Sequence, residues 1–87
     1  LHTVCCLVTA EFLEFARSRG NDLITPAPQY NFPGLVPGDK WCVCAGTWKS
    51  AVDVGVACPV VLESTHEETL QIVTLSELKD HALVLTE

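Results

Sequence analysis

Thr3-Val4-Cys5-Cys6-Leu7-Val8-Thr9, running into Ala10-Glu11-Phe12-Leu13-Glu14-Phe15-Ala16-Arg17-Ser18-Arg19-Gly20, is the stretch that decides the fold. Thr3 to Val8 is rich in β-branched residues and thiols and reads as a buried strand. Thr9 is a natural N-cap. Ala10 to Arg19 is predicted as a helix, with Phe12, Leu13, Phe15 and Ala16 on one face and Glu11, Glu14, Arg17 and Ser18 opposite. Acids open it and bases close it, which suits the helix dipole, and Gly20 is the stop.

Outward from this unit, Leu23 to Lys40 has no period. Thr25-Pro26-Ala27-Pro28 favours extended backbone. Phe32-Pro33-Gly34-Leu35 and Val36-Pro37-Gly38-Asp39 place Pro then Gly where a type II turn needs them. Tyr30, Phe32 and Leu35 call for cover, so the segment reads as a packed loop. Trp41 to Ala45 is predicted as the second strand. Thr47 caps a helix over Trp48 to Val54 that Gly55 ends, with Trp48, Ala51 and Val52 buried. Pro59 to Glu63 is predicted as a third strand and Ile72-Val73 as a short fourth. Thr74-Leu75-Ser76-Glu77 is a capping box for a last helix, with Leu83 to Leu85 as its frayed end. The expectation is an α/β fold: one small domain over residues 1–87, with a mixed sheet of three to four short strands and two to four helices.

The chain has 87 residues, 48% apolar and only 18% charged, with a net charge of −6. Such a short chain buries roughly 60–65% of its unfolded surface. A low charge count points to apolar surface covered by a second copy or by further chain. The missing initiator Met and the strand-like Leu1-His2-Thr3-Val4 point to an N-terminal segment upstream. Acidic residues crowd the last third, where Glu63, Glu67, Glu68, Glu77, Asp80 and Glu87 face Lys79 alone. Without a basic patch no nucleic acid partner is expected, and without a long apolar run no membrane partner.

The five cysteines are Cys5, Cys6, Cys42, Cys44 and Cys58. An odd count with vicinal pairing does not resemble a secreted disulfide framework, so reduced thiols and a cytoplasmic location are expected. The plain reading of each is a small buried hydrophobe. Cys42 and Cys44 lie two apart on a predicted strand and so share a face, roughly 6.5–7 Å apart at Cα, at the edge of disulfide geometry. That face is expected to meet the first strand near Cys5 or Cys6. As packing atoms, Cys44→Ala should cost about 1 kcal/mol and Cys44→Ser more, through an unpaired buried hydroxyl.

The functional reading is a thiol and His pocket for a metal or a small ligand, with catalysis open. Cys42, Cys44 and His66 are the metal candidates, zinc being the metal in view, with Cys5 or Cys6 as a further ligand from the first strand. Against this, His66 at the end of the third predicted strand also reads as a capping residue. Arg19, Asn21, Asp22 and Asp39 bracket the long loop. They read either as a polar rim over the thiol face or as Asx-type bonds that hold the chain reversal. The competing class is a non-catalytic interaction or structural module, suggested by the acidic last third and the aromatic loop. No Ser-His-Asp order, phosphate loop or dinucleotide fingerprint is present.

His2-Thr3-Val4-Cys5, Arg19-Gly20-Asn21-Asp22-Leu23, Phe32-Pro33-Gly34-Leu35, Pro37-Gly38-Asp39, Trp41-Cys42-Val43-Cys44, Pro59-Val60-Val61-Leu62-Glu63 and Thr65-His66-Glu67 occur in one order. On these motifs the chain resembles a family of small, mainly bacterial proteins of unknown function. The resemblance covers essentially the whole chain and brings no reaction with it. It implies a Gly- and Cys-rich segment ahead of His2, which could supply a further Cys facing Cys5, Cys42 or Cys44. It gives no role to Cys58.

Overall fold

Strand β1 (Val4–Leu7) buries Val4 and Cys6 and leaves Cys5 and Leu7 half-covered, the alternation of a sheet with one core face. The computed structural model describes residues 2–83. Thr9 caps α1 (Ala10–Ser18) by accepting the Phe12 amide, as expected. The helix closes on Gly20: the Gly20 amide donates to the Arg17 carbonyl and the Asn21 amide to that of Ala16, the paired bonds of a Schellman stop. Phe12, Leu13 and Ala16 are buried.

β1 pairs antiparallel with β2 (Lys40–Val43), in the register Val4 to Val43, Cys5 to Cys42, Cys6 to Trp41 and Leu7 to Lys40. The described sheet has these two strands rather than three to four. Of the expected third strand only Val60 bridges, antiparallel to Cys6 and parallel to Ala82. The chain then turns into a 3-10 turn at Leu62–Ser64. The Thr65 hydroxyl, where a strand would offer a carbonyl, accepts the Cys5 amide. The expected fourth strand is absent: Ile72 closes the 3-10 turn Glu67–Gln71, and Thr74 already caps the last helix. Two residues between a turn and a cap leave no length for a ladder.

Helix α2 (Ala45–Asp53) starts three residues earlier than Thr47 suggests, so β2 ends at Val43 and Cys44 is the N-cap. Ala45, Trp48 and Ala51 are its buried face. Gly55 ends it with the same pair of bonds as α1, through the Gly55 and Val56 amides. Helix α3 (Leu75–Asp80) carries the expected capping box of Thr74 and Glu77. Beyond it the Leu83 amide donates to the Val60 carbonyl, so the chain is extended there; Val84 and Leu85, read as a frayed helix end, lie outside the described residues. Among the described residues no helix is long and apolar enough to cross a membrane.

The 23–40 loop is packed at two points. The Leu35 amide donates to the Leu23 carbonyl, and both side chains are buried. Phe32 packs against Trp41 with the rings tilted by 52° and their centroids 5.6 Å apart. Tyr30, expected to be covered, is 79% exposed. Gly34 has φ +83°, and a Cβ there would lie 2.3 Å from the Ile24 carbonyl oxygen. Gly34→Ala is therefore expected to cost at least about 2 kcal/mol, from left-handed strain together with a backbone clash. A urea melt checks it; a change under 0.5 kcal/mol, the size of an ordinary surface substitution, would show that the loop does not pack this way.

Helices α2 and α3 are joined by an ion pair between Lys49 and Glu77. The Lys49 ammonium, and then the Thr74 amide, hold the Glu77 carboxyl below the usual carboxylate range. Hydrogen bonds from Thr25 and Ile24 do the same for Asp22. A depressed carboxyl stabilises the fold above its unfolded value and loses that contribution as pH falls through its folded value. Stability should therefore fall from about pH 4 downward. Glu77→Gln should flatten that acid limb when urea midpoints are measured against pH. An acid limb unchanged by Glu77→Gln would contradict the assignment. The Lys49 ammonium is shifted up by Glu77, so its own contribution is lost only on the alkaline side.

Candidate functional site

Cys5 and Cys42 stand directly opposite each other on β1 and β2. The Cys5 amide donates to Thr65 Oγ1 and its carbonyl accepts the Val61 amide. Both polar groups of its backbone therefore point away from β2. Cys5 and Cys42 thus form a non-hydrogen-bonded pair, the kind that brings facing side chains closest. Their Cα atoms are 3.9 Å apart and their sulfurs form a disulfide. This corrects the reading of five reduced thiols: two are bonded, while Cys6, Cys44 and Cys58 are free. It also corrects the pairing considered from spacing, since Cys42 is bonded across the sheet and not to Cys44.

Strand alternation sends the vicinal thiols to opposite sides. Cys6 is fully buried and its thiol donates to the Trp41 carbonyl at 3.6 Å. Cys58 is buried as well, and hydrogen bonding to Cys6, followed by burial, pushes its thiol far above the ordinary range. Both are packing atoms buried in the core. Cys5 and Cys42 instead lie on the other face, half-covered, at the wall of a solvent-open cavity of about 420 Å³. Lys40, Trp41, Val61, Ser64 and His2 also line it, and the buried Cys6 borders it from the core side. No carboxylate among the described residues lines it.

The remaining candidates lie elsewhere. His66 caps the Glu67–Gln71 turn, its Nδ1 accepting the Glu68 amide at 3.0 Å, and lines a separate cavity of about 170 Å³. Cys44 lines another, of about 180 Å³, beside Thr3 and Glu68. Cys42, Cys44 and His66 are therefore not brought together. Among the described residues no three His, Cys, Asp or Glu side chains converge to hold a metal ion. With Cys42 bonded to Cys5, the donor set does not fit zinc.

Of the polar residues around the loop, Arg19 and Asn21 belong to the end of α1, while Asp22 and Asp39 hold loop backbone. The Arg19 guanidinium sits 4.9 Å over the Phe15 ring. Asn21 is exposed and contributes its amide to the helix stop. Asp22 Oδ1 accepts the Ile24 and Thr25 amides, the Asx-type bonds considered from sequence. Asp39 Oδ2 accepts the Val36 amide, while its carbonyl accepts the Val8 amide.

Sequence reasoning missed Lys40, Trp41, Ser64 and His2. For Lys40 a signal existed: it stands two residues before Cys42 and so shares its strand face. Cys44, in extended geometry at the N-cap of α2, makes no side-chain capping bond. The earlier ranking of its variants therefore reverses. Cys44→Ser should raise stability by about 0.5–1 kcal/mol by capping the helix, whereas Cys44→Ala should not. Thermal melts of both variants decide it; Ser below Ala would contradict the cap.

A comparison with curated proteins finds no match. A family described as "uncharacterized protein conserved in bacteria (DUF2237)" matches residues 1–82. The match spans nearly the whole chain, the strands that carry the disulfide and the cavity above it included, and the protein belongs to that family.

Proposed function

We propose that the cavity over Cys5 and Cys42 is a small-ligand site whose reactive group is the disulfide itself, and that the protein works by thiol–disulfide exchange there. One observation carries the reading: the bond lies on the sheet face away from the core, half-covered, at the wall of a solvent-open cavity of about 420 Å³. A bond serving only as a staple has no need of a cavity beside it. The cytoplasmic reading belongs to this proposal, because in a reducing compartment disulfides are transient, catalytic or redox-sensing. Zinc has no part in it.

The test is a mixed-disulfide trap. Cys42→Ser leaves Cys5 unpaired, and Cys5→Ser leaves Cys42 unpaired. Each variant is treated under native conditions with a small symmetric disulfide and mapped by peptide mass. The proposal expects the adduct on the remaining cysteine of the pair. Adducts confined to Cys44, or none before denaturation, would sink it.

A second reading, a protein-interaction module, is favoured by Leu70, Ile72 and Leu75, which are 49%, 58% and 49% exposed near the acidic 3-10 turn. Exposed large apolar residues this close in sequence suit a second copy of the chain. Sedimentation of the wild type against Ile72→Asp tests it; a monomer in both cases would remove its support.

A further inference from the structure

We propose that the exchange partner is an anionic low-molecular-weight thiol, drawn to the disulfide by Lys40. The inference rests on the preceding reading of the bond as exchange-competent, and it adds the charge class of the partner. Arg17 and Lys49 are each held by carboxylates, Glu14 for the first and Glu77 with Asp53 for the second. Among the described residues Lys40 has no carboxylate at ion-pair distance. The nearest acid in sequence, Asp39, turns an oxygen to the Val36 amide. Lys40 is thus an uncommitted cation on a chain of net charge −6, and it lines the same cavity as the disulfide. Trp41 and Val61 supply apolar wall for the body of such a ligand.

The step balances without a further reactant. A thiolate RS⁻ attacks Cys5 Sγ; the new bond is R–S–S–Cys5, and the Cys5–Cys42 bond breaks with its electron pair on Cys42. Lys40, on the same strand face as Cys42, stabilises that departing thiolate, which makes Cys42 the better leaving group. A second RS⁻ attacks the R sulfur, releasing RSSR and the Cys5 thiolate. Two thiols are oxidised and one protein disulfide is reduced. Lys40 touches neither bond as a reactant; its role is to position and stabilise charge.

The experiment follows native-state reduction of wild-type protein by 3-mercaptopropionate, 2-mercaptoethanol and cysteamine, which are anionic, neutral and cationic. Each rate is divided by the same thiol's rate with a neutral small disulfide. The expected order is anionic, neutral, cationic, with a spread on the order of tenfold. The net charge alone would set the opposite order. Lys40→Gln should collapse or invert the spread, Lys40→Arg should keep it, and about 1 M salt should shrink it. Equal relative rates in the wild type, or a spread that survives Lys40→Gln, would overturn the inference and leave the exchange reading standing. Failure of all three thiols to reduce the folded protein would overturn both.

Discussion

Removing the Cys5–Cys42 bond is expected to lower stability by about 4 kcal/mol, the loop-closure value for a span of 37 residues. The gain comes from the unfolded chain, which the bond restricts. The folded state keeps its β1–β2 register without it, because Thr65 and Val61 still hold the Cys5 backbone from the other side. A domain of this size has on the order of 5–15 kcal/mol in total, so the reduced protein should remain folded while losing a large share of its margin. Urea melts of oxidised and reduced wild type, and of the Cys5→Ala/Cys42→Ala double variant, check this. The reduced and double-variant midpoints should agree, and both should lie well below the oxidised one. Coincidence of all three would mean that the bond does not form in solution. An exchange site needs a domain that survives loss of its own disulfide, so this stability result bears directly on function.

Trp48→Ala should cost about 3–5 kcal/mol. Trp48 is fully buried at the centre of the core, and its ring meets His81 edge-on at 5.3 Å. Its Nε1 donates to the Cys58 carbonyl at 3.0 Å. One side chain thereby ties α2 to the segment leading into Val60 and to the end of α3. Trp48→Phe should cost less in volume but leaves the Cys58 carbonyl without that donor, worth about 1–3 kcal/mol. Thermal or urea denaturation of both variants measures the two parts. Trp48→Phe equal to wild type would show that the bond to Cys58 contributes nothing.

The first β–α unit was legible in sequence because local signals agree there: a β-branched run, Thr9 at the cap and Gly20 at the stop. The capping box of Thr74 and Glu77 was legible for the same reason. The start of α2 was not, since Thr47 looks a better cap than Cys44 and nothing local says that the helix has already begun. The third strand, expected over Pro59 to Glu63, fails at Leu62, where the chain enters a 3-10 turn, and the Thr65 hydroxyl beyond it takes the Cys5 amide; no propensity encodes a side chain standing in for a backbone partner. His66 and Asp22 proved to be capping and turn residues, the readings set beside their functional ones. Within the candidate site, the meeting of Cys42 with the first strand near Cys5 or Cys6 was expected from two buried strands. The bond was not, because it depends on register, and register across a long loop is fixed by packing rather than by spacing. Lys40 was legible only through its place two residues before Cys42 on the same strand face, whereas Cys44 lies beyond the strand end as the cap of α2.

The central claim is that Cys5 and Cys42 form a bond that folded protein exchanges with thiols in solution. The most direct measurement equilibrates native wild-type protein with a graded low-molecular-weight thiol and disulfide buffer, alkylates it, and weighs it intact. The account predicts a reversible two-electron transition in which two alkylated cysteines, mapped to Cys5 and Cys42, are gained while the protein stays folded. Reduction that occurs only after unfolding, or Cys5 and Cys42 already free at the most oxidising buffer, would contradict it.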